Sequence, residues 1–125
     1  MQVQKKHGKG NHLIADCFNC DSFVLESKKE ISRILEELPL VIGMRKISSP
    51  LVLYHRAKRK SESGVTGIII LAESNITIHT YPKKNFVSVD IYSCKEFDIG
   101  AAMQYLKEKF KFKKLKKHVI KRGFY

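Results

Sequence analysis

The chain is short of cysteine, short of acidic residues and free of long hydrophobic runs. Three cysteines in 125 residues exclude a disulfide-dense secreted scaffold. No apolar stretch approaches the roughly 20 residues that a membrane-spanning helix needs. The opening Met1-Gln2-Val3-Gln4-Lys5-Lys6 runs into Gly and His instead of an apolar segment, so no export signal is expected. These absences predict a cytoplasmic, reduced protein with no membrane association. Internal repeats and low-complexity linkers are missing too, and the length predicts one domain over residues 1–125 with a modest core.

The acid shortage leaves 24 Lys and Arg against 12 Asp and Glu, a formal net charge of +12. Much of it lies in Arg56–Lys60 and Lys107–Arg122, where Phe110 and Phe112 are interleaved. Such a surface attracts polyanions non-specifically. No base-reading motif accompanies it, so nucleic acid is not an expected partner. Two of the cysteines form Cys17-Phe18-Asn19-Cys20. Zinc would need two more ligands, with His12 the only local candidate, and a redox dithiol usually opens a helix. The strand-to-turn context predicts two structural cysteines and no metal.

Residues 10–18 read as a first strand. Asp21 or Ser22 caps a helix over 22–38, with Ile31, Ile34, Leu35 and Leu38 at helical spacing and Pro39 just past its end. A second strand over Met44–Tyr54 is interrupted by Ser48-Ser49-Pro50, and an exposed basic loop follows over 56–63. Ile68–Ala72 is a continuous apolar run of strand length. Asp98 caps a second helix with Ile99, Ala102, Met103, Leu106 and Phe110 on one face, and 115–120 reads as a last strand. Strands outnumber helices, which predicts a largely antiparallel sheet with helices on one face, an α+β two-layer sandwich.

The chemistry-bearing residues gather around one hairpin. Residues 75–81 and 86–92 alternate with period 2, and Pro82-Lys83-Lys84-Asn85 lies between them as a turn. Placing both apolar sets on one face sets Ile78 opposite Val89 and Ile76 opposite Ile91. The same register puts Cys94 across from Glu73, beside the Glu73–Ser74 bond, with His79 further along the strand. A polar face bearing Ser74, His79 and Asp90 is then expected to be open to substrate or partner. Serine, histidine and cysteine are a nucleophile, a base and an acid. Taken singly, each also has an ordinary structural role, and Asp90 reads as a satisfied sheet aspartate.

Gly64-Val65-Thr66-Gly67, Ala72-Glu73-Ser74, Ile78-His79-Thr80 and Val89-Asp90-Ile91-Tyr92-Ser93-Cys94, with Gly10–Asp16 and Cys20-Asp21 before them, resemble the prokaryotic S-adenosylmethionine decarboxylase proenzymes. The resemblance spans roughly residues 10–110. It implies a pyruvoyl-dependent enzyme that cuts itself between Glu73 and Ser74 into a β chain, 1–73, and an α chain, 74–125. Ser74 would become the pyruvoyl cofactor and form the Schiff base with S-adenosylmethionine. His79 would accept a proton in processing, Thr66 would support it, and Cys94 would donate a proton in catalysis. The product would supply aminopropyl groups for spermidine, and the subunits would form a homodimer with active sites at its interface.

The chain departs from that pattern around the substrate. Lys83 stands where a carboxylate meets the ribose and keeps donors only, Ala57 and Lys58 replace an expected aromatic, and Asn75, Tyr81 and Lys95 also differ. Two alternatives stay open: the same machinery acting on another amino acid such as arginine, or a non-catalytic paralogue serving as a regulatory or polyanion-binding subunit.

Overall fold

Alternation in the sequence carries directly into the sheet. The computed structural model describes residues 9–123. Its strands are β1 (Gly10–Phe18), β2 (Arg45–Lys46), β3 (Leu51–His55), β4 (Gly64–Ala72), β5 (Ser74–Tyr81), β6 (Phe86–Ser93) and β7 (Lys114–Arg122). They form one seven-stranded sheet in the order β2-β4-β5-β6-β1-β7, with β3 also on β4, and every pairing is antiparallel. Ile76 faces Ile91 and Ile78 faces Val89, the register that the alternation predicts. β7 runs further than expected, to Lys114 and Arg122.

Three helices, α1 (Ser22–Glu26), α2 (Lys28–Val41) and α3 (Ile99–Phe110), give the fold its second layer. They cover the face carrying Leu13, Val65, Ile69, Ile76 and Val89, all fully buried. α2 crosses β4 at Gly67, where an added Cβ would stand 2.8 Å from Leu35 Cδ1. Thr80, on the covered face, ties the layers together. Its hydroxyl donates to the Leu25 carbonyl at 2.7 Å and accepts from the Val65 N–H at 2.9 Å.

The single helix expected over 22–38 is two helices. The Ser27 N–H bonds the Val24 carbonyl at 3.1 Å and closes α1, while its hydroxyl accepts from the Glu30 N–H at 3.0 Å and opens α2. Ser27-Lys28-Lys29-Glu30 is the serine and glutamate spacing of a capping box, a start signal inside a continuous apolar pattern. Pro39 does not end the helix; it lies within the last turn of α2, which runs to Val41. Its missing N–H costs the helix one i→i−4 bond, the one to the Leu35 carbonyl. The Pro39 carbonyl is taken up by the Met44 N–H at 2.8 Å. Asp21 and Asp98 cap α1 and α3 as expected, accepting from Phe23 N–H at 3.0 Å and Ala101 N–H at 2.9 Å.

Among the described residues no helix covers the other face of the sheet. On it Leu51, Leu53 and Ile70 are each at least half exposed, with Ile68 beside them. Among the described residues no helix is long and apolar enough to cross a membrane.

Candidate active site

β4 and β5 are joined by the shortest of links. Leu71 pairs with Ser74, so Ala72 and Glu73 alone make the turn, and the Glu73–Ser74 bond sits at the hairpin tip. The β5–β6 ladder ends with Ser74 opposite Ser93, which extends to Glu73 opposite Cys94. The Cys94 thiol donates to Glu73 Oε1 at 3.8 Å, confirming the cross-strand placement of the cysteine. Gly10 makes this end of the sheet possible: a Cβ there would lie 1.8 Å from the Ser93 carbonyl oxygen and 2.9 Å from Cys94 Cα.

Ser74 itself is not on the open face. It shares parity with Ile76, Ile78 and Thr80 and is buried with them, so the expected polar face bears His79 and Asp90 without it. Polarity groups Ser74 with His79 and Asp90, but strand parity decides the side. The Ser74 hydroxyl is buried and has no hydrogen-bond partner among the described residues. An unsatisfied buried hydroxyl is costly in a purely structural role. Asp90 faces the His12 ring at 3.7 Å, in the middle of the sheet and away from the hairpin tip.

Thr66 and His79 form a second centre. They are direct partners across β4 and β5, and Thr66 Oγ1 lies 3.0 Å from His79 Nδ1. That bond fixes the imidazole and leaves its Nε2 edge for other work. His55, Glu62 and Tyr81 join them around a cavity of about 120 Å³. The alternation Leu51, Leu53, His55 on β3 marks His55 for this face; Glu62, between β3 and β4, carries no periodic signal. His79 lies five residue steps along the strand from Ser74, roughly 17 Å at 3.3 Å per residue. One chain therefore brings Cys94 to Glu73 but does not bring His79 to Ser74.

Comparison with known proteins identifies the family. A family model described as S-adenosylmethionine decarboxylase matches residues 11–123. The chain belongs to the S-adenosylmethionine decarboxylase family. The S-adenosylmethionine decarboxylase proenzyme of Caldicellulosiruptor saccharolyticus is 32% identical over 120 residues, 95% of this chain and 92% of that protein. That of Clostridium botulinum strain Langeland is 33% identical over 115 residues, covering 91% of this chain and 94% of its relative. The crystal structure of the adenosylmethionine decarboxylase from Aquifex aeolicus matches with a TM-score of 0.76 at 28% identity, over 96% of this chain and 95% of that one.

The remaining residues singled out in the sequence stand apart from both centres of this family member. Cys17 and Cys20 are buried core, with the Cys20 thiol donating to the Cys17 carbonyl at 3.4 Å. Burial pushes the Cys17 thiol up to about 12 and Cys20 to about 11. Both are held as thiols, the opposite of a reactive or metal-binding pair. Among the described residues no group of three His, Cys, Asp or Glu side chains could hold a metal ion. Lys83 lies in a 3-10 turn, Pro82–Lys84, and lines a separate cavity with Tyr54, Arg56 and Lys60.

Proposed function

We propose that the chain is a pyruvoyl-dependent S-adenosylmethionine decarboxylase that processes itself at Glu73–Ser74. The observation that carries this reading is the hairpin tip: a two-residue turn presents that bond, the Ser74 hydroxyl is unpaired, and Cys94 lies against Glu73. Relatives of near-equal length carry the name proenzyme.

In processing, Ser74 Oγ adds to the Glu73 carbonyl, the peptide C–N bond breaks, and an ester with a free amine results. Removal of the residue 74 Cα proton by His79 expels the Glu73 carboxylate and divides the chain into 1–73 and 74–125. The dehydroalanine left at position 74 tautomerises to an imine, and water replaces ammonia. Thr66 contributes a hydroxyl beside His79, suited to supporting the developing oxyanion. The pyruvoyl group so made would supply an electrophilic carbonyl for the substrate amine to condense with, and so an electron sink for decarboxylation. Cys94, partly exposed beside residue 74, is the proton source for the product carbon. A cavity of about 440 Å³ lined by Lys9, Gly10, Asn11, Glu96 and Lys121 adjoins this end of the sheet, a size suited to a small ligand.

The separation of His79 from Ser74 calls for a second copy. The uncovered face with Leu51, Leu53, Ile68 and Ile70 is an apolar surface of the kind that dimers bury. A two-fold axis between two such faces, perpendicular to β5, sets the His79 end of one β5 over the Ser74 end of the other. The homodimer then carries two sites, each built from both chains. Its role would be to supply aminopropyl groups for spermidine from the cytoplasm.

Intact mass after expression tests the processing step. Fragments matching 1–73 and a pyruvoyl-started 74–125 are expected from the natural chain and a single full-length species from Ser74→Ala; full-length chain from both would sink the reading. Carbon dioxide release from carboxyl-labelled S-adenosylmethionine, compared with arginine, then decides the substrate.

A further inference from the structure

Behind the Thr66–His79 cavity lies a second one of about 230 Å³, lined by Glu26, Tyr54, Arg56, Lys60, Ser63, Pro82 and Lys83. The two are back to back. Tyr54 and His55, Ser63 and Gly64, and Pro82 and Tyr81 are neighbours in sequence, and each pair gives one residue to each cavity. On β3, Tyr54 shares parity with Val52, which packs against the core under the helices, whereas His55 shares parity with Leu53 on the open face. The rear cavity therefore lies on the helix side of the sheet end, and a single layer of backbone separates it from His79.

Its charge is unbalanced. Arg56, Lys60 and Lys83 make no ion pair or side-chain hydrogen bond among the described residues, whereas nearby Arg59 is matched by Glu62 at 3.7 Å. Glu26 is the single carboxylate in the lining, so about two positive charges are left without a counter-ion. Three exposed cations around one concavity give it a positive potential that draws an anion. A monocarboxylate would leave one charge over; a phosphate group, carrying close to two negative charges near neutral pH, matches the excess. The chemistry of the lining fits the same ligand, with a guanidinium for paired oxygens, two ammonium groups as point charges and the Tyr54 hydroxyl.

We propose that this rear cavity is a phosphate-binding site, taking either free phosphate or the phosphate of a nucleotide, with Arg56, Lys60 and Lys83 as its ligands. Occupation places an anion behind the Thr66–His79 pair and offsets the excess positive charge of this lining. This gives Lys83 a partner that its position on the helix side can reach.

The test is calorimetric titration of the full chain with inorganic phosphate at low ionic strength, with chloride at matched ionic strength as control. Saturable binding of one phosphate per chain is expected, weakened roughly tenfold by Arg56→Gln or by Lys83→Gln and strengthened by Glu26→Gln. Circular dichroism of each variant reports that the fold is kept, and mass analysis of the same samples reports processing as a separate readout. Adenosine 5′-monophosphate is titrated in parallel. Tighter binding than phosphate, lost in Tyr54→Ala, identifies the nucleotide as the source, and equal binding identifies free phosphate. No saturable heat with either probe overturns the proposal, as does binding that Arg56→Gln and Lys83→Gln leave unchanged.

Discussion

Cys94 and Glu73 face each other where β5 and β6 end, with the cysteine sulfur 3.8 Å from a carboxylate oxygen of the residue that precedes Ser74. Replacing Cys94 with alanine should leave self-cleavage intact and lower turnover by about two to four orders of magnitude, the usual effect of removing a positioned proton donor. Mass analysis checks the first part and carbon dioxide release the second.

His79 is expected to act on the other subunit. Neither Ser74→Ala nor His79→Ala chains should cut themselves when expressed alone. Co-expressed, a hybrid dimer pairs an intact Glu73–Ser74 bond on the His79→Ala chain with an intact His79 on the Ser74→Ala chain. Cleavage should reappear in the His79→Ala chain only, and differently tagged chains make this visible by mass. Cleavage in neither would place His79 and Ser74 action within one chain or remove the dimer from the scheme.

The open face supplies the dimer contact in this scheme. Leu53→Lys or Ile70→Lys puts a charge into the middle of that face without touching the core, since both side chains are at least half exposed. Sedimentation velocity should show monomers, and self-cleavage should fall with dimerisation.

Thr80→Val removes a hydroxyl that holds two backbone groups and leaves the Val65 N–H and the Leu25 carbonyl unpaired under the helices. The expected cost is about 2 kcal/mol of stability, read from urea midpoints on the Ser74→Ala chain so that processing does not intervene.

Alkaline pH should weaken the fold through its buried thiols. Cys17 and Cys20 hold their protons more tightly in the folded chain, near 12 and 11 against an ordinary 9.0. Their contribution is complete below about pH 9 and is lost as pH rises through 9 towards 12. Tyr105, raised by burial and by its bond to Glu37, adds in the same direction above its own ordinary range. Urea midpoints should therefore fall steadily above about pH 9, and Cys17→Ala with Cys20→Ala should flatten that slope. At neutral pH a thiol reagent should label Cys94 quickly and the other two only after unfolding.

The strands and their register were legible because alternation is a two-valued signal, and a single shared face fixes Ile76 on Ile91 without further information. The same signal carried Cys94 to Glu73. It failed for Ser74 only where polarity was allowed to outvote parity. The break at Ser27 was written in the chain as a serine and a glutamate three apart, but Val24, Ile31 and Leu35 keep a helical rhythm across it and mask the cap. The distance between His79 and Ser74 follows from counting strand residues. What sequence reading lacked was the register of β3 on β4 across residues 56–63, which sets His55 opposite Gly64, in the cavity with Thr66, and puts Tyr54 in the cavity with Lys83.

The strand order has a consequence for a chain cut at the hairpin tip. β1 through β4 would belong to one fragment and β5 through β7 to the other, yet β1 lies between β6 and β7. The two pieces are interleaved like clasped fingers. Parting them means unzipping β1 from both neighbours and β4 from β5, three ladders in all. A severed chain of this topology keeps its shape with no bond across the cut.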